Sequence, residues 1–364
     1  MFNKSRRVIA GLGLFMGGLL ALPPVAGATS TPKSATLPTV TVAFDVASAG
    51  EAPFYAASLH GFFRKFGINV QDVLVTNTTV GAAALESGSV DLAGATDPLV
   101  LTQKTGIQFV GVVGTNFQAA YFQVVCNNQI AKPTKGETGK QKLQELLGKK
   151  IAFSGIGSTP YISLQEALAF NGMNISQVQV VSLATGTPQY AALETSQVAC
   201  VIGNPNVVAT QVGGSWGGFK LLGFADAGVS SPSFLKYVNP IEATATWVKT
   251  HKHEATAFAR GYSAAVLWMQ KPKNLAGAEA AVEAAEGSAV ATGPALPVLM
   301  KDLLPALTPI WGPTTVRAVY NADLDNGVIT RIPNFNPNVF CGPGSPPSEA
   351  AAVTLAAGGP AQKY

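Results

Sequence analysis

From Val40 onward, short β-rich runs alternate with helical patterns, and this alternation constrains the fold more than any other feature of the chain. TVTVAFDV (39–46) reads as a strand and PFYAASLHGFFRKFG (53–67) as a helix ending at Gly67. INVQDVLV (68–75), VDLAGA (90–95) and IQFVGVVG (107–114) read as further strands, separated by helical stretches at VGAAALESG (80–88) and DPLVLTQKTG (97–106). Strands divided by short helices imply a parallel sheet wrapped by helices. Such sheets bind ligands at the carboxyl ends of their strands. The loops at 47–54, 95–98 and 114–118 are therefore the first places to look for function.

A second series repeats the pattern. YFQVVCN (121–127), KKIAFSG (149–155), VQVVSLATG (178–186) and VACVIGN (198–204) read as strands, with helices after most of them. KLLGFADAG (220–228) reads as the strand that returns to the first series, followed by TATWVK (244–249) as a strand and a helix over 251–270. Ala-rich helical patterns fill 273–286 and 295–304. With 364 residues, 47% of them hydrophobic, the chain can fill two cores. The expected fold is α/β with two lobes, each a mostly parallel sheet flanked by helices. One lobe comprises 38–120 plus 222–345, the other 121–221, with two crossover strands. The tail beyond Asn334 is rich in Pro, Gly and Ala, so 346–364 is expected to be loosely ordered.

Charge is concentrated at the start. Lys4, Arg6 and Arg7 precede the apolar run VIAGLGLFMGGLLAL, and Ala26-Gly27-Ala28 follows. A basic start, a short apolar stretch and an A-x-A site make a secretory signal over 1–28, and export to the periplasm is expected. The chain has 24 basic and 20 acidic residues; without those three the balance is 21 to 20. No basic run with interleaved aromatics remains, which argues against nucleic acid. An exported chain can oxidise two of its three cysteines, leaving one over. Cys126 and Cys200, however, both lie in apolar strand-like runs, the pattern of buried thiols.

Catalytic equipment is thin. GGSWG (213–217) matches G-x-S-x-G at Ser215, and Asp226 and His251 or His253 follow in hydrolase order. A nucleophile elbow needs a strand before the serine and a helix after it, and the pattern here is the reverse. His251 and His253 are two apart, on different sides of a helix, and no acidic cluster has metal-ligand spacing. SGIGSTPYISLQEAL (154–168) lacks the Gly-Lys-Ser/Thr of a nucleotide loop. Its Ser158 or Thr159 can cap a helix, with Pro160 in the first turn. No cofactor, metal or catalytic residue is expected.

Four segments together carry a resemblance. APFYAASLHGFFRKFGINV (52–70), GAAALESGSVDLAGATDP (81–98), LLGKKIAFSGIGSTPYISLQEALAFNGMN (146–174) and LETSQVACVIGNP (193–205) resemble, in order, segments of the periplasmic binding proteins for nitrate, taurine, alkanesulfonates and thiamine precursors. The resemblance runs from about 40 to 230. It implies a two-lobed binding-protein fold of the type II kind, no catalysis, and delivery of a captured solute to the permease of an ABC importer by a monomer. It places ligand contacts at Ser48, Phe54, Tyr55, Thr96, Asp97 and Asn116 in the first lobe. In the second they are Gly157, Ser158, Thr159, Tyr161, Thr185, Thr187 and Asn204. No lysine or arginine falls within these loops, so an anion would rely on neutral donors and helix dipoles. Glu51 and Asp97 would oppose an anion if they faced the cleft. Phe54, Tyr55, Phe117 and Tyr161 could instead stack on an aromatic solute. A small organic or sulfonate-like solute is the expected cargo.

Overall fold

Among the described residues the alternation resolves into ten strands in two sheets. The computed structural model describes residues 36–44, 48–75, 78–94, 97–156, 158–183, 186–212, 217–287 and 293–364. In chain order the strands are β1 Thr39–Phe44, β2 Asn69–Leu74, β3 Leu92–Gly94, β4 Phe109–Phe117, β5 Gln123–Cys126, β6 Lys150–Phe153, β7 Gln179–Ser182, β8 Cys200–Gly203, β9 Phe219–Gly223 and β10 Val238–Thr244. One sheet has the order β2-β1-β3-β10-β4 and the other β7-β6-β8-β5-β9.

The two sheets share one wiring. β1 pairs in parallel with β2 and β3, and β6 with β7 and β8. In each sheet one antiparallel strand joins the parallel trio to the last strand. That strand is β10 in the first sheet and β5 in the second. β5 follows β4 and β10 follows β9, so each lobe is completed by a strand arriving from the other. The edge strands β2 and β7 are the most exposed, whereas eight of the nine residues of β4 are buried. β4 also ends its sheet, but Trp311 packs against it and Cys341 forms a β-bridge to its Gly111, so it is covered and reads as an apolar run.

Several expectations change at this level. KLLGFADAG does not return to the first sheet; its β9 pairs with β5 in the second. The returning strand is β10, whose Pro240 sits at a register shift beside Asn239. A proline cannot donate to a ladder, so the strand tolerates it only at a bulge, and it hides the strand in the sequence. TATWVK is a helix, Ala245–Thr250, because the Thr244 hydroxyl accepts the Trp247 N–H at 3.1 Å and starts it. The helix expected over 53–67 breaks into Ala52–Leu59 and Phe62–Lys65 at Gly61, which has φ 69°. The helix Pro313–Asp325 had no counterpart in the sequence reading.

Cys126 and Cys200 form a disulfide and are not free thiols. They sit directly opposite each other on antiparallel β5 and β8, a pairing that the strand runs alone do not disclose. Cys341 is the free, buried cysteine. The tail is also built in, not loose. Helix Glu349–Ala356 packs on helix Lys252–Met269, burying Ala352 and Leu355. Arg260 donates to the Gly359 carbonyl at 2.9 Å and the Tyr364 hydroxyl to the Ser345 carbonyl at 2.8 Å.

One apolar core surrounds the first sheet and helices Ala52–Leu59, Lys252–Met269 and Leu275–Glu286. A second surrounds the other sheet and also takes in Trp311, Val316 and Val319 from near the C-terminus. Trp311 is fully buried against β4, where a Cβ on Gly111 would lie 2.3 Å from its Nε1. Only glycine lets the ring come so close. No described helix is long and apolar enough to cross a membrane.

Candidate functional site

The helices that follow the carboxyl ends of β1, β3, β6, β7 and β8 each carry a proline in the first two positions: Pro53, Pro98, Pro160, Pro188 and Pro205. Proline fits there because its missing N–H would have no helical partner anyway. In the sequence the predicted site residues flank these five starts, except Asn116, which was expected in a loop over 114–118 and sits inside β4.

Around β1 and β4 the structure gathers Ser48, Gly50, Asn116 and Tyr121. The hydroxyls of Ser48 and Tyr121 are 2.8 Å apart, and the Gly50 N–H donates to both, at 3.2 and 3.0 Å. A Cβ on Gly50 would be 3.0 Å from Tyr121 Oη and 3.6 Å from Asn116 Nδ2, so glycine allows this approach. Asn116 is buried and bonds its Oδ1 to Gln118 Nε2 at 3.0 Å. Burial raises the Tyr121 hydroxyl well above its ordinary value, and the charges of Glu51 and Glu286 add to the rise.

Glu286 is the residue that ties the two sheets together here. It ends helix Leu275–Glu286 and is 6% exposed. Its Oε1 accepts the Ala49 N–H at 2.7 Å, from the loop after β1. Its Oε2 accepts Asn206 Nδ2 at 3.3 Å, from the helix after β8. Burial pushes its carboxyl up to about 7, with the Ala49 N–H pulling the other way. Tyr190, on helix Thr187–Glu194, is pushed up to about 12 by burial and by the charge of Glu286.

Asp97 belongs to a different network. It caps helix Pro98–Thr105, accepting from Leu99 N at 2.7 Å and Val100 N at 3.4 Å. The Tyr237 hydroxyl lies 2.8 Å from Asp97 Oδ2 and 3.1 Å from Asp323 Oδ1. A phenol has one proton, so both contacts are satisfied only if an aspartate carries another. Burial raises both carboxyls: at Asp323 the Asp97 charge adds to the rise, whereas at Asp97 the Tyr237 hydroxyl and the Leu99 amide oppose it. Glu242, fully buried on β10, has no hydrogen-bond partner on either oxygen among the described residues. Burial, reinforced by the Asp97 charge, raises its carboxyl well above the usual carboxylate range.

The other predicted residues fall as follows. Phe54 is 2% exposed and packs edge-on against Phe44, with its other neighbours Tyr55 and Phe63, so it belongs to the first core. Tyr55 is partly buried and donates to Asp72 at 2.9 Å; burial and that bond raise its hydroxyl. Ser158 occupies the cap position of helix Thr159–Phe170 without capping it, because its hydroxyl donates to the Gly155 carbonyl at 2.6 Å. Thr159 starts that helix, and Tyr161 packs edge-on against Phe153 at 5.6 Å. Thr187 is exposed at the start of its helix. Asn204 caps helix Pro205–Gln211 through the N–H groups of Asn206 and Val207. Thr96, Gly157, Thr185 and Ser215 lie outside the described residues.

Tyr121, Tyr190, Asn206 and Glu286 were missed by the sequence reading. Glu286 did leave a signal: Ala278, Val282 and Glu286 are spaced by four, so a carboxylate occupies the buried stripe of its helix.

Residues 49–274, more than half of the chain, match the model of the NMT1/THI5-like family. The chain belongs to that family. The match covers all five proline-started helices in full, while Glu286 lies beyond its end. Among solved structures, this NMT1/THI5-like chain is similar to the alkanesulfonate-binding protein of Xanthomonas axonopodis pv. citri, bound to MOPS, with TM-score 0.61 at 16% identity, over 82% of this chain and 96% of that one. The periplasmic aliphatic sulphonate binding protein of Escherichia coli gives TM-score 0.60 at 18% identity, over 81% and 94%. The periplasmic nitrate-binding protein of Synechocystis PCC 6803 gives 0.52 at 16%, over 68% and 66%. These likenesses are likenesses of fold, and the fold is that of a two-lobed periplasmic binding protein. No curated protein sequence matches the chain.

Proposed function

We propose that this protein is an extracytoplasmic solute-binding protein that captures a small organic or sulfonate-like solute between its lobes and delivers it to an ABC importer. The observation that carries the reading is the meeting of groups from both sheets at one place. Ser48 and Gly50 come from the segment after β1, Tyr121 from the short helix Gln118–Tyr121 after β4, Asn206 from the helix after β8, and Glu286 touches both sides. Loops at strand carboxyl ends, carried on two bodies joined by crossing strands, are suited to closing around a ligand. The structural likeness to alkanesulfonate- and nitrate-binding proteins supports the same role. A Cys126–Cys200 disulfide and the basic-apolar leader are in keeping with an oxidising compartment outside the cytoplasm.

A thermal-shift screen with sulfonates, nitrate, aromatic acids, pyrimidines and amines tests this. A ligand at about 100 times its Kd stabilises the folded state by about 2.7 kcal/mol, enough to raise the melting temperature by several degrees. At least one compound is expected to give such a rise, and Ser158→Ala combined with Thr159→Ala is expected to weaken its binding at least tenfold. If no compound moves the melting curve and mass spectrometry finds no solute on the purified protein, solute capture falls. If the double variant binds as wild type does, that loop is not part of the site.

A further inference from the structure

The place where the two sheets meet holds a buried carboxyl with no cationic partner among the described residues. Glu286 is 6% exposed, and its two bonded donors, the Ala49 N–H and the Asn206 amide, are both neutral. Among the described residues the one ion pair joins Lys142 to Asp226. The stretches 45–47, 95–96, 184–185 and 288–292 contain no lysine or arginine in the sequence. A carboxylate has about four acceptor positions, and two of these are in use. A buried carboxylate without a cation is costly, and the protein relieves the cost either by protonation or by supplying a counter-charge.

The amides that would welcome an anion here are already engaged. The Ala49 N–H is held by Glu286, and the Gly50 N–H by Ser48 and Tyr121. The N–H groups of Asn206 and Val207 are held by Asn204.

Resting on the solute-capture reading above, we infer that Glu286 anchors a positively charged nitrogen head, an ammonium or amidinium, of the captured solute. A cation there supplies the missing counter-charge and fills acceptor positions that neutral donors leave open. The acidic end of an alkanesulfonate would meet a like charge at the same point.

The test is isothermal titration of the full protein at pH 8 with a panel of primary amines and amidines, each paired with the sulfonate of the same carbon skeleton. At least one amine or amidine is expected to bind at least tenfold more tightly than its paired sulfonate. Glu286→Gln is expected to lose at least tenfold of that affinity, and Glu286→Asp to keep more of it than Glu286→Gln. Affinity is also expected to fall as the pH drops below about 7, where the carboxyl takes up a proton. If Glu286→Gln does not fold, the wild-type preference between the paired compounds decides. Sulfonates binding as tightly as their amine partners, or amine binding unaffected in Glu286→Gln, would overturn the inference and leave solute capture standing. Binding by neither series, with the wider screen also silent, would overturn both.

Discussion

Glu286 sits four residues after Val282 and eight after Ala278, on the stripe that its helix buries. A carboxyl in that position holds its proton more tightly folded than unfolded: the ordinary value is 4.5, and burial raises it to about 7. Between those pH values the folded protein keeps a proton that the unfolded chain has released, so the stability contributed at this residue is full below about 4.5 and is lost as the pH rises through 7. Each tenfold gain in proton affinity is worth about 1.4 kcal/mol, which sets a ceiling of about 3 kcal/mol on the effect. Urea unfolding of wild type and Glu286→Gln at pH 5 and pH 8 checks this. The wild type is expected to lose stability relative to the variant on going to pH 8, and parallel profiles would refute it. Asp97, Asp323 and Glu242 are present in both proteins and cancel in the comparison.

Strands β5 and β8 are joined twice, by their antiparallel ladder and by the Cys126–Cys200 bond across it. The two cysteines are 74 residues apart in sequence, so the bond removes much of the freedom of the unfolded chain. For a loop of that size the chain-entropy account gives about 4 kcal/mol. Cys126→Ser with Cys200→Ser is expected to lower the unfolding free energy by about 2–4 kcal/mol, read from denaturant midpoints. An unchanged midpoint would show that the bond adds nothing to this sheet. Helix Glu349–Ala356 makes a contrasting case: its composition suggested a loose tail, yet Ala352 and Leu355 find a buried surface on helix Lys252–Met269.

The two lobes are not independent folding units, because each holds a strand that the chain delivers from the other. The second core also draws on Trp311, Val316 and Val319, which follow all ten strands in sequence. Trp247 and Trp268 pack on the first core and Trp311 lies in the second, so tryptophan fluorescence reports on both. A single cooperative transition is expected, with fluorescence and far-ultraviolet circular dichroism coinciding in urea. Separate transitions would mean that the shared strands do not couple the lobes.

The order of strands up to Asn204, the two-lobed α/β class and the loops at Ser48 and Asn204 were legible in the sequence, whereas Asn116, expected in a loop over 114–118, lies inside β4. The legible features depend on local periodicity and on caps such as Asp97-Pro98 and Asn204-Pro205. The identity of the returning strand was not legible, since Pro240 breaks its pattern and only the ladder with β3 and β4 makes it a strand. The disulfide was not legible either, because register decides which residues face each other across β5 and β8. The partners of Glu286 were out of reach for a similar reason. Ala49 and Asn206 are 237 and 80 residues away in the chain, and no local rule brings a backbone amide and a side-chain amide at such separations to one carboxylate. Periodicity and caps are local and were written in the sequence; pairing, burial and the charge balance of the site are long-range, and the tertiary structure alone decided them.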